Sequence, residues 1–324
     1  MAEVSVIIPT YNGAGFIAET VESVLAQTLP DLELIVVNDR STDATEQVLK
    51  QFGDKLRVVS GLRKGIPAAR NVGLRASGGR YVCFLDHDDL WMPQKLSRQL
   101  ELFEKDIEIG FCFTDYETFG DPAPYQNGFE ENGDRVRGLP REQIGPHAFK
   151  ILSESLLIDM VNGALPCWTS TIMMRRSVFD LVGPFDEALL INDDTQMWLR
   201  FAKQCRFAYV DEPLAKQRVR NSSTSLAMAM DRKQTDSILM FERLRHWVEL
   251  TPAESRAVRS RMAGLCMGLG YLEFTDGRLK SAGEQFRKSL RLRFSAWTLA
   301  YYLLTFLPAS GVRRMRALKH RISV

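Results

Sequence analysis

The chain has 324 residues, 45% hydrophobic and 25% charged, and its 18 Phe, 8 Tyr and 5 Trp are enough core material for one large or two modest domains and exclude a low-complexity disordered chain. The formal charge of +2 conceals an asymmetry: nine of the 42 basic residues and none of the 40 acidic ones lie after Glu284, so the preceding residues carry a formal −7. Five scattered cysteines without a C-x-x-C pair argue for reduced thiols rather than disulfides or a zinc site.

The opening residues, Met1-Ala2-Glu3-Val4, carry no basic segment followed by an apolar run, so no signal peptide is expected. Val4–Pro9 is a β-branched apolar run and predicts a strand, and Ile17, Val21, Val24 and Leu25 then recur at helical spacing. Leu32–Val37 predicts a second strand, with Ser41 or Asp43 capping a helix that carries Val48, Leu49 and Phe52. A third strand is expected over Leu56–Val59, a helix over Ala68–Ala76 and a fourth strand over Tyr81–Leu85. Pro93 opens a helix with Leu96, Leu100 and Phe103 on one face, and Ile109–Thr114 predicts a fifth strand. Such alternation predicts an α/β fold, a mostly parallel sheet covered by helices on both faces.

Residues 117–147 are rich in Gly and Pro and read as a long functional loop. Residues 148–162 read as helical, Trp168–Met174 as a strand, Gly183-Pro184-Phe185-Asp186 as a turn and about Asp193 to Gln204 as a helix. From about Met228 the pattern is helical. Leu269-Gly270, Gly277, Ala282, Phe286 and Leu290 follow the small/large pattern of a tetratricopeptide-like hairpin. The organisation expected is therefore residues 1–225 as a catalytic domain and 226–324 as a C-terminal helical appendage.

Ligands of parallel sheets bind at the carboxyl edge of the strands, and the polar clusters fall there: Thr10-Tyr11-Asn12, Asn38-Asp39 and Asp86-His87-Asp88-Asp89. Crowded carboxylates repel one another and are accommodated by a cation, with oxygen ligands favouring Mg²⁺ or Mn²⁺ shared with substrate phosphates. Acids before Pro93 also suit a helix N-terminus, so both readings stand on the residues alone. Asp193-Asp194, ahead of Met197-Trp198-Phe201, suits either a general base or a helix cap. Lys64-Gly65 through Arg70 joins two cations to a helix start, an arrangement suited to phosphate. Arg218 and Arg220 flank the hydroxyl-rich 221–225 segment, either a phosphate-binding loop or a solvated one.

In order, these segments resemble the family 2 glycosyltransferases with the GT-A fold, over about residues 4–225. Ser5-Val6-Ile7-Ile8-Pro9-Thr10-Tyr11-Asn12 resembles the opening strand and donor loop, and Val37 through Asp43 the V-D-D-G-S-T-D segment. Ala69-Arg70-Asn71-Val72-Gly73 matches A-R-N-x-G, and Asp86-His87-Asp88 the D-x-D signature. Gly183 through Asp186 and Asp193-Asp194 through Trp198-Leu199-Arg200 resemble G-x-F-D and E-D-x-x-x-W-L-R. The resemblance implies a hexosyltransferase-type enzyme: inverting, single-step transfer from a nucleotide-diphosphate sugar, with a UDP-sugar favoured, to a glycan or lipid-linked acceptor in cell-surface polysaccharide synthesis. It places Tyr11 on the base, Thr10 at base or ribose with Asn12 beside it in the same donor loop, Asp39 on the base, Arg70 near the nucleotide and Asp86 near the ribose. Lys64, Arg218 and Arg220 would serve the phosphates, Asp88 would hold the metal on the diphosphate, and Asp194 or Asp193 would be the base.

Asp193 stands where Glu is common, which leaves the base open between Asp193 and Asp194, and three further positions depart from the pattern: Asn38 for Asp, Arg40 for Gly, and Arg220 where His is common. They suggest a second reading, a non-catalytic sugar-nucleotide-binding scaffold. Trp168, Tyr125 and Phe129 are candidates for stacking on the acceptor sugar. The 13-residue apolar stretch from Ala296 to Pro308 is shorter than the ~20 residues of a membrane span. Its aromatics, with the basic residues from Arg313 to Arg321, fit a helix lying on an anionic membrane surface. A cytoplasmic protein, peripheral on the inner face of the membrane, is therefore expected, and no nucleic-acid reader motif is present.

Overall fold

The computed structural model describes residues 2–120, 127–132, 134–165, 167–220 and 229–307. The chain divides into two compact units, residues 1–223 and 224–324.

In the first unit, β1 (Val4–Thr10), β2 (Leu32–Asn38), β3 (Arg57–Ser60) and β4 (Tyr81–Phe84) form a parallel block in the order β3-β2-β1-β4. The register aligns Thr10 with Asn38 and Asn38 with Ser60, so three strands end level at one rim. Every residue of β1 is buried, because the side chains alternate between two cores. Val4, Val6 and Ile8 pack with Ile17, Val21 and Val24 of helix α1 (Ile17–Leu25), while Ile7 faces Ala69 and Val72 of α3 (Ile66–Ala76). Burial on both faces is why the strand reads as an apolar run interrupted only by Ser5, whose hydroxyl donates to Glu33. Gly73 of α3 lies so close to the sheet that a Cβ there would sit 2.3 Å from Ile7 Cγ2.

Helix α2 (Thr45–Lys50) follows β2, and the two-residue β5 (Leu90–Trp91) and α4 (Lys95–Lys105) follow β4. The sheet continues through β9 (Met173–Arg175), antiparallel to both β4 and β6 (Ile109–Phe119). β6 pairs in parallel with β10 (Arg206–Arg218), which also pairs with β5, and the order finishes β10-β8-β7 with β7 (Arg141–Gly145) and β8 (Ala148–Ile151). Three short helices, α5 (Gly128–Glu131), α6 (Leu156–Val161) and α7 (Arg176–Val182), precede α8 (Asp193–Phe201).

The α/β fold of a mostly parallel sheet flanked by helices is as expected; several element assignments are corrected. Residues 148–162 are not one helix. Ala148–Ile151 is a strand held by β7 and β10, with helix only over Leu156–Val161. Within 117–147, β6 runs on to Phe119 and β7 is a strand, so the segment is not simply a loop. Trp168–Met174 is a 3₁₀ turn, Thr169–Thr171, leading into β9. β10 has no counterpart among the predicted elements, since Asp211 and Pro213 interrupt its apolar pattern; Pro213 falls where its register against β6 shifts, the place a sheet tolerates proline.

The second unit is helical: α9 (Met230–Leu244), α10 (Pro252–Thr275), α11 (Leu279–Leu292) and α12 (Ala296–Leu304). α10 begins in a capping box, Thr251 Oγ1 accepting from Glu254 N and Glu254 Oε2 accepting from Thr251 N. Gly277 turns α10 into α11 at φ +85°, and Phe286 fills the space left by Gly270, whose Cβ would meet its ring at 2.7 Å.

A lysine lies inside the first core. Lys95 is fully buried, donates to Gln99 Oε1 at 2.7 Å and sits 4.1 Å from the Trp91 ring centroid. Burial lowers its pKa from the ordinary 10.5 to about 8. A depressed lysine pKa means the unfolded chain binds the proton more tightly, so this group adds stability as pH rises from about 8 to 10.5. The difference in unfolding free energy between wild type and Lys95→Met, from urea melts, should therefore shift in favour of wild type across that window, by up to about 3 kcal/mol; a pH-independent difference would contradict it.

Candidate functional site

At the rim, the loops after β1 and β2 are laced together. Thr10 O accepts from Asp39 N at 2.8 Å, Ser41 Oγ accepts from Asn12 N at 2.9 Å, and Asn12 Oδ1 accepts from Thr42 N at 2.8 Å. Asp43 accepts from Ala14 N and Thr45 N. Ser41 and Asp43 thus tie loop to loop, and α2 has Ala44 at its N-cap without a side-chain hydrogen bond. Arg40 takes φ +61°, the left-handed conformation that explains glycine at this place in the motif.

Asp39 is buried, with Oδ1 accepting from Arg63 N at 2.5 Å and Oδ2 from Gly65 N at 3.2 Å. The Tyr11 ring is 45% exposed, whereas Thr10 is buried and its hydroxyl has no hydrogen-bond partner. Lys64 is exposed on the approach to α3.

Arg70, in the first turns of α3, is 4% exposed and occupies the centre. Its Nη1 donates to Asp193 Oδ2 at 2.7 Å, and Nη2 to Asp86 Oδ1 at 3.3 Å and Thr169 Oγ1 at 3.4 Å. Burial opposes its charge, but Asp193, Asp86 and Asp194 prevail and raise its pKa further. The carboxylates feel the same competition. Burial pushes Asp193 up to about 6 against Arg70, with Asp194 adding to the rise. Asp86 is likewise raised by burial, with Arg70 opposing and Asp88 and Asp194 reinforcing.

Asp193 and Asp194 both lie in the first turn of α8, where the helix dipole favours negative charge, yet they differ. Asp193 is 4% exposed and committed to Arg70. Asp194 is half-buried, accepting from Thr169 Oγ1 at 2.8 Å and Thr195 N at 2.6 Å.

The third cluster surrounds the turn after β4. Asp89 is buried and accepts from Trp168 Nε1 at 3.0 Å, Ser170 Oγ at 2.6 Å and Arg218 N at 2.9 Å. Burial, with Asp86 and Asp88 adding, raises its pKa to about 8. Arg218 Nε donates to the Asp88 carbonyl at 2.9 Å and Nη2 to Glu19 Oε2 at 2.6 Å; Arg220 Nη2 donates to Asp88 Oδ2.

The fold therefore brings Arg70, Asp86, Asp193 and Asp194 into one cluster and Asp88, Arg218 and Arg220 into another, joined through the 86–89 turn. It does not gather Lys64, which has no described contact with either. Phe129 is fully buried against Phe113 and Tyr209, so it is core and not an acceptor platform. Tyr125 and residues 221–225 lie outside the described residues. Thr169 and Ser170 hold the site together without having been singled out, alongside Asp89 of the acidic cluster; the signal was a Thr-Ser-Thr run in an otherwise apolar segment.

Among the described residues no group of three His, Cys, Asp or Glu side chains is placed to hold a metal ion. Asp89 is buried under three donors and Asp86 is tied to the buried Arg70; Asp88 is paired with the part-exposed Arg220, and is suited to a hard divalent cation once Arg220 releases it and phosphate oxygens and water complete the shell.

Residues 5–182 match the sequence model of glycosyl transferase family 2. The putative teichuronic acid biosynthesis glycosyltransferase TuaG of Bacillus subtilis is 34% identical over 68% of this chain and 81% of its own length. The Escherichia coli UDP-Glc:alpha-D-GlcNAc-diphosphoundecaprenol beta-1,3-glucosyltransferase WfgD is 28% identical over 69% and 79%. The chain spans 65% of the length of two Rickettsia glycosyltransferases that it also matches. Among solved structures, Staphylococcus aureus TarS 1–349 in complex with UDP-GlcNAc shares the fold at a TM-score of 0.67 and 18% identity, over 97% of this chain and 92% of that one.

Removing Arg70 alone strands buried Asp193. Arg70→Met should cost about 3–5 kcal/mol of stability in urea denaturation, and Arg70→Met with Asp193→Asn should recover much of it. Equal losses in the single and double variants would show that the pair is not coupled.

Proposed function

The chain belongs to glycosyl transferase family 2, and from that premise we propose that it transfers one hexose from a UDP-sugar, with inversion, to a hydroxyl of a glycan or lipid-linked acceptor in cell-surface polysaccharide synthesis. The observation that carries this reading is the Arg70 cluster, which sets Asp86 and Asp193 on one guanidinium with Asp194 beside them. The UDP-sugar and the lipid-linked acceptor are supported by the names of TarS and WfgD, and the polysaccharide setting by TuaG.

Inversion requires the acceptor oxygen to attack opposite the departing diphosphate. The diphosphate leaves as an anion and needs no proton, so one base suffices, unlike the two carboxylates of glycoside hydrolases. Asp194 is that base: its carboxylate is more open than that of Asp193, and the Thr169 and Thr195 donors hold it in place. Asp193 keeps Arg70 fixed, and Arg70 in turn holds Asp86 at the ribose.

Tyr11 offers an exposed ring to the base, with Thr10, Asn12 and Asp39 around it, and Arg218 and Arg220 provide positive charge for the phosphates. A Mn²⁺ or Mg²⁺ ion held by Asp88 would supply further charge neutralisation on the diphosphate.

The protein is also proposed to act from the cytoplasmic side at an anionic bilayer. No helix among the described residues is long and apolar enough to cross a membrane. α12 has no charged residue, and its outward positions are apolar: Ala296, Trp297, Ala300 and Leu303 are exposed, with Trp297 at 66%. Its other side packs Tyr301 against Phe274 and Phe286. An apolar exposed face near Arg287, Arg291 and Arg293 fits interfacial binding.

Asp194→Asn should lower transfer by about 10²–10⁴-fold while UDP binding, read by calorimetry, stays within a few-fold; retained turnover would remove Asp194 from the role. In flotation with anionic vesicles, wild type should rise with the lipid and Trp297→Ser with Leu303→Ser should stay largely behind. Equal flotation of both would sink the membrane reading.

A further inference from the structure

Two arginines follow one another at the end of β10, and they are held differently. Arg218 is fastened from several sides: its backbone N–H donates to Asp89, its Nε to the Asp88 carbonyl and its Nη2 to Glu19. Its guanidinium also lies between the rings of Phe16 and Phe119, at 5.1 and 4.4 Å from their centroids. Arg220 makes a charge pair with Asp88 Oδ2 and stacks 4.5 Å from the Phe16 centroid, but its Nε is buried with no hydrogen-bond partner among the described residues. A buried unsatisfied donor costs free energy that an incoming acceptor would recover.

Asp88 has the complementary need. Its side chain is only 14% exposed, and a shielded carboxylate requires a cation beside it. Arg220 meets that need in the protein as it stands, and it does so at the carboxylate assigned above to the divalent ion. A diphosphate presents the oxygens a guanidinium fork engages best. The two cations of the site thus have one carboxylate between them until a diphosphate provides Arg220 with another anion.

Resting on the assignment of Asp88 to the ion, we propose that Arg220 is a latch: it neutralises Asp88 in the empty site, and it moves onto the nucleoside diphosphate as the ion takes Asp88. The ion and the nucleotide then favour each other's binding through Arg220, beyond the direct contact between ion and phosphate. Without nucleotide, the ion must displace an arginine. With nucleotide, the arginine has somewhere better to go. Arg218, fastened by its backbone and Glu19, does not take part in the exchange.

The test is Mn²⁺ binding, followed by the electron paramagnetic resonance signal of the free ion, with and without UDP. For Arg220→Gln, Mn²⁺ alone should bind about tenfold more tightly than to wild type, and the gain in Mn²⁺ affinity on adding UDP should shrink, a coupling in the usual range for linked sites. Arg220→Lys, which keeps the charge on a shorter donor set, should fall between the two and guards against a folding defect in the glutamine variant. Asp88→Asn separates the two layers. If it abolishes Mn²⁺ binding while Arg220→Gln leaves the Mn²⁺-alone affinity and the UDP gain unchanged, the latch is wrong and the assignment of Asp88 stands. If Asp88→Asn leaves Mn²⁺ binding with UDP intact, both the assignment and the latch fall.

Discussion

Burying a guanidinium or a carboxylate away from water is costly unless each finds a charged or hydrogen-bonding partner. Arg70 and Asp193 satisfy each other in this way, at 5% and 6% side-chain exposure. The pair ties α3 to the start of α8, and through Asp86 it reaches the end of β4. Arg70 and Asp193 are 123 residues apart in the sequence. Loss of either partner would leave an uncompensated charge in the interior, so the site's geometry and the stability of the first unit rest on the same contact.

Around that pair, the acids divide by environment rather than by type. Asp39 is held by backbone N–H groups, Asp89 by an indole, a hydroxyl and an amide, and Asp193 by Arg70. These carboxylates organise loops. Asp88 and Asp194 are less deeply buried, Asp88 paired with the part-exposed Arg220 and Asp194 held by Thr169 and Thr195, and these two are the carboxylates proposed to meet a ligand. The 3₁₀ turn Thr169–Thr171 serves both groups, since Thr169 donates to Asp194 and Ser170 to Asp89. It is pinned from beneath by Trp91 Nε1 on Ser170 O and by Gln99 Nε2 on Thr171 O. Packing below the rim thus sets the aim of polar groups above it.

The strands of the parallel block were legible because burial on both faces demands near-continuous apolar residues, as in Val4–Ile8 and Leu34–Val37. The glycines told of close approach: Gly73 under Ile7, Gly270 under Phe286. The antiparallel half was harder to read. β8 has only four residues, too few to separate a period of two from a helical one, and β10 contains Asp211 and Pro213 at a register shift. The 3₁₀ turn hides in an apolar run because its three hydroxyls are paired internally rather than exposed. Phe129 looked like a surface aromatic in a glycine-rich segment, but the rings of Phe113 and Tyr209 enclose it.

By itself the sequence determined the fold class, the order of the rim motifs and the kinds of chemical group that reach the rim, since these follow from local periodicity and from residue identity. It could not rank Asp193 against Asp194, show that Asp43 laces the loop after β1 as well as accepting from the first N–H of α2, or reveal that Arg220 pairs with Asp88. Each of those depends on a partner distant along the chain: Arg70 for Asp193, the loop after β1 for Asp43, the end of β10 for Asp88. The charge and reach of a carboxylate are set by how much water it loses and which donors replace that water. Only the tertiary structure decides both.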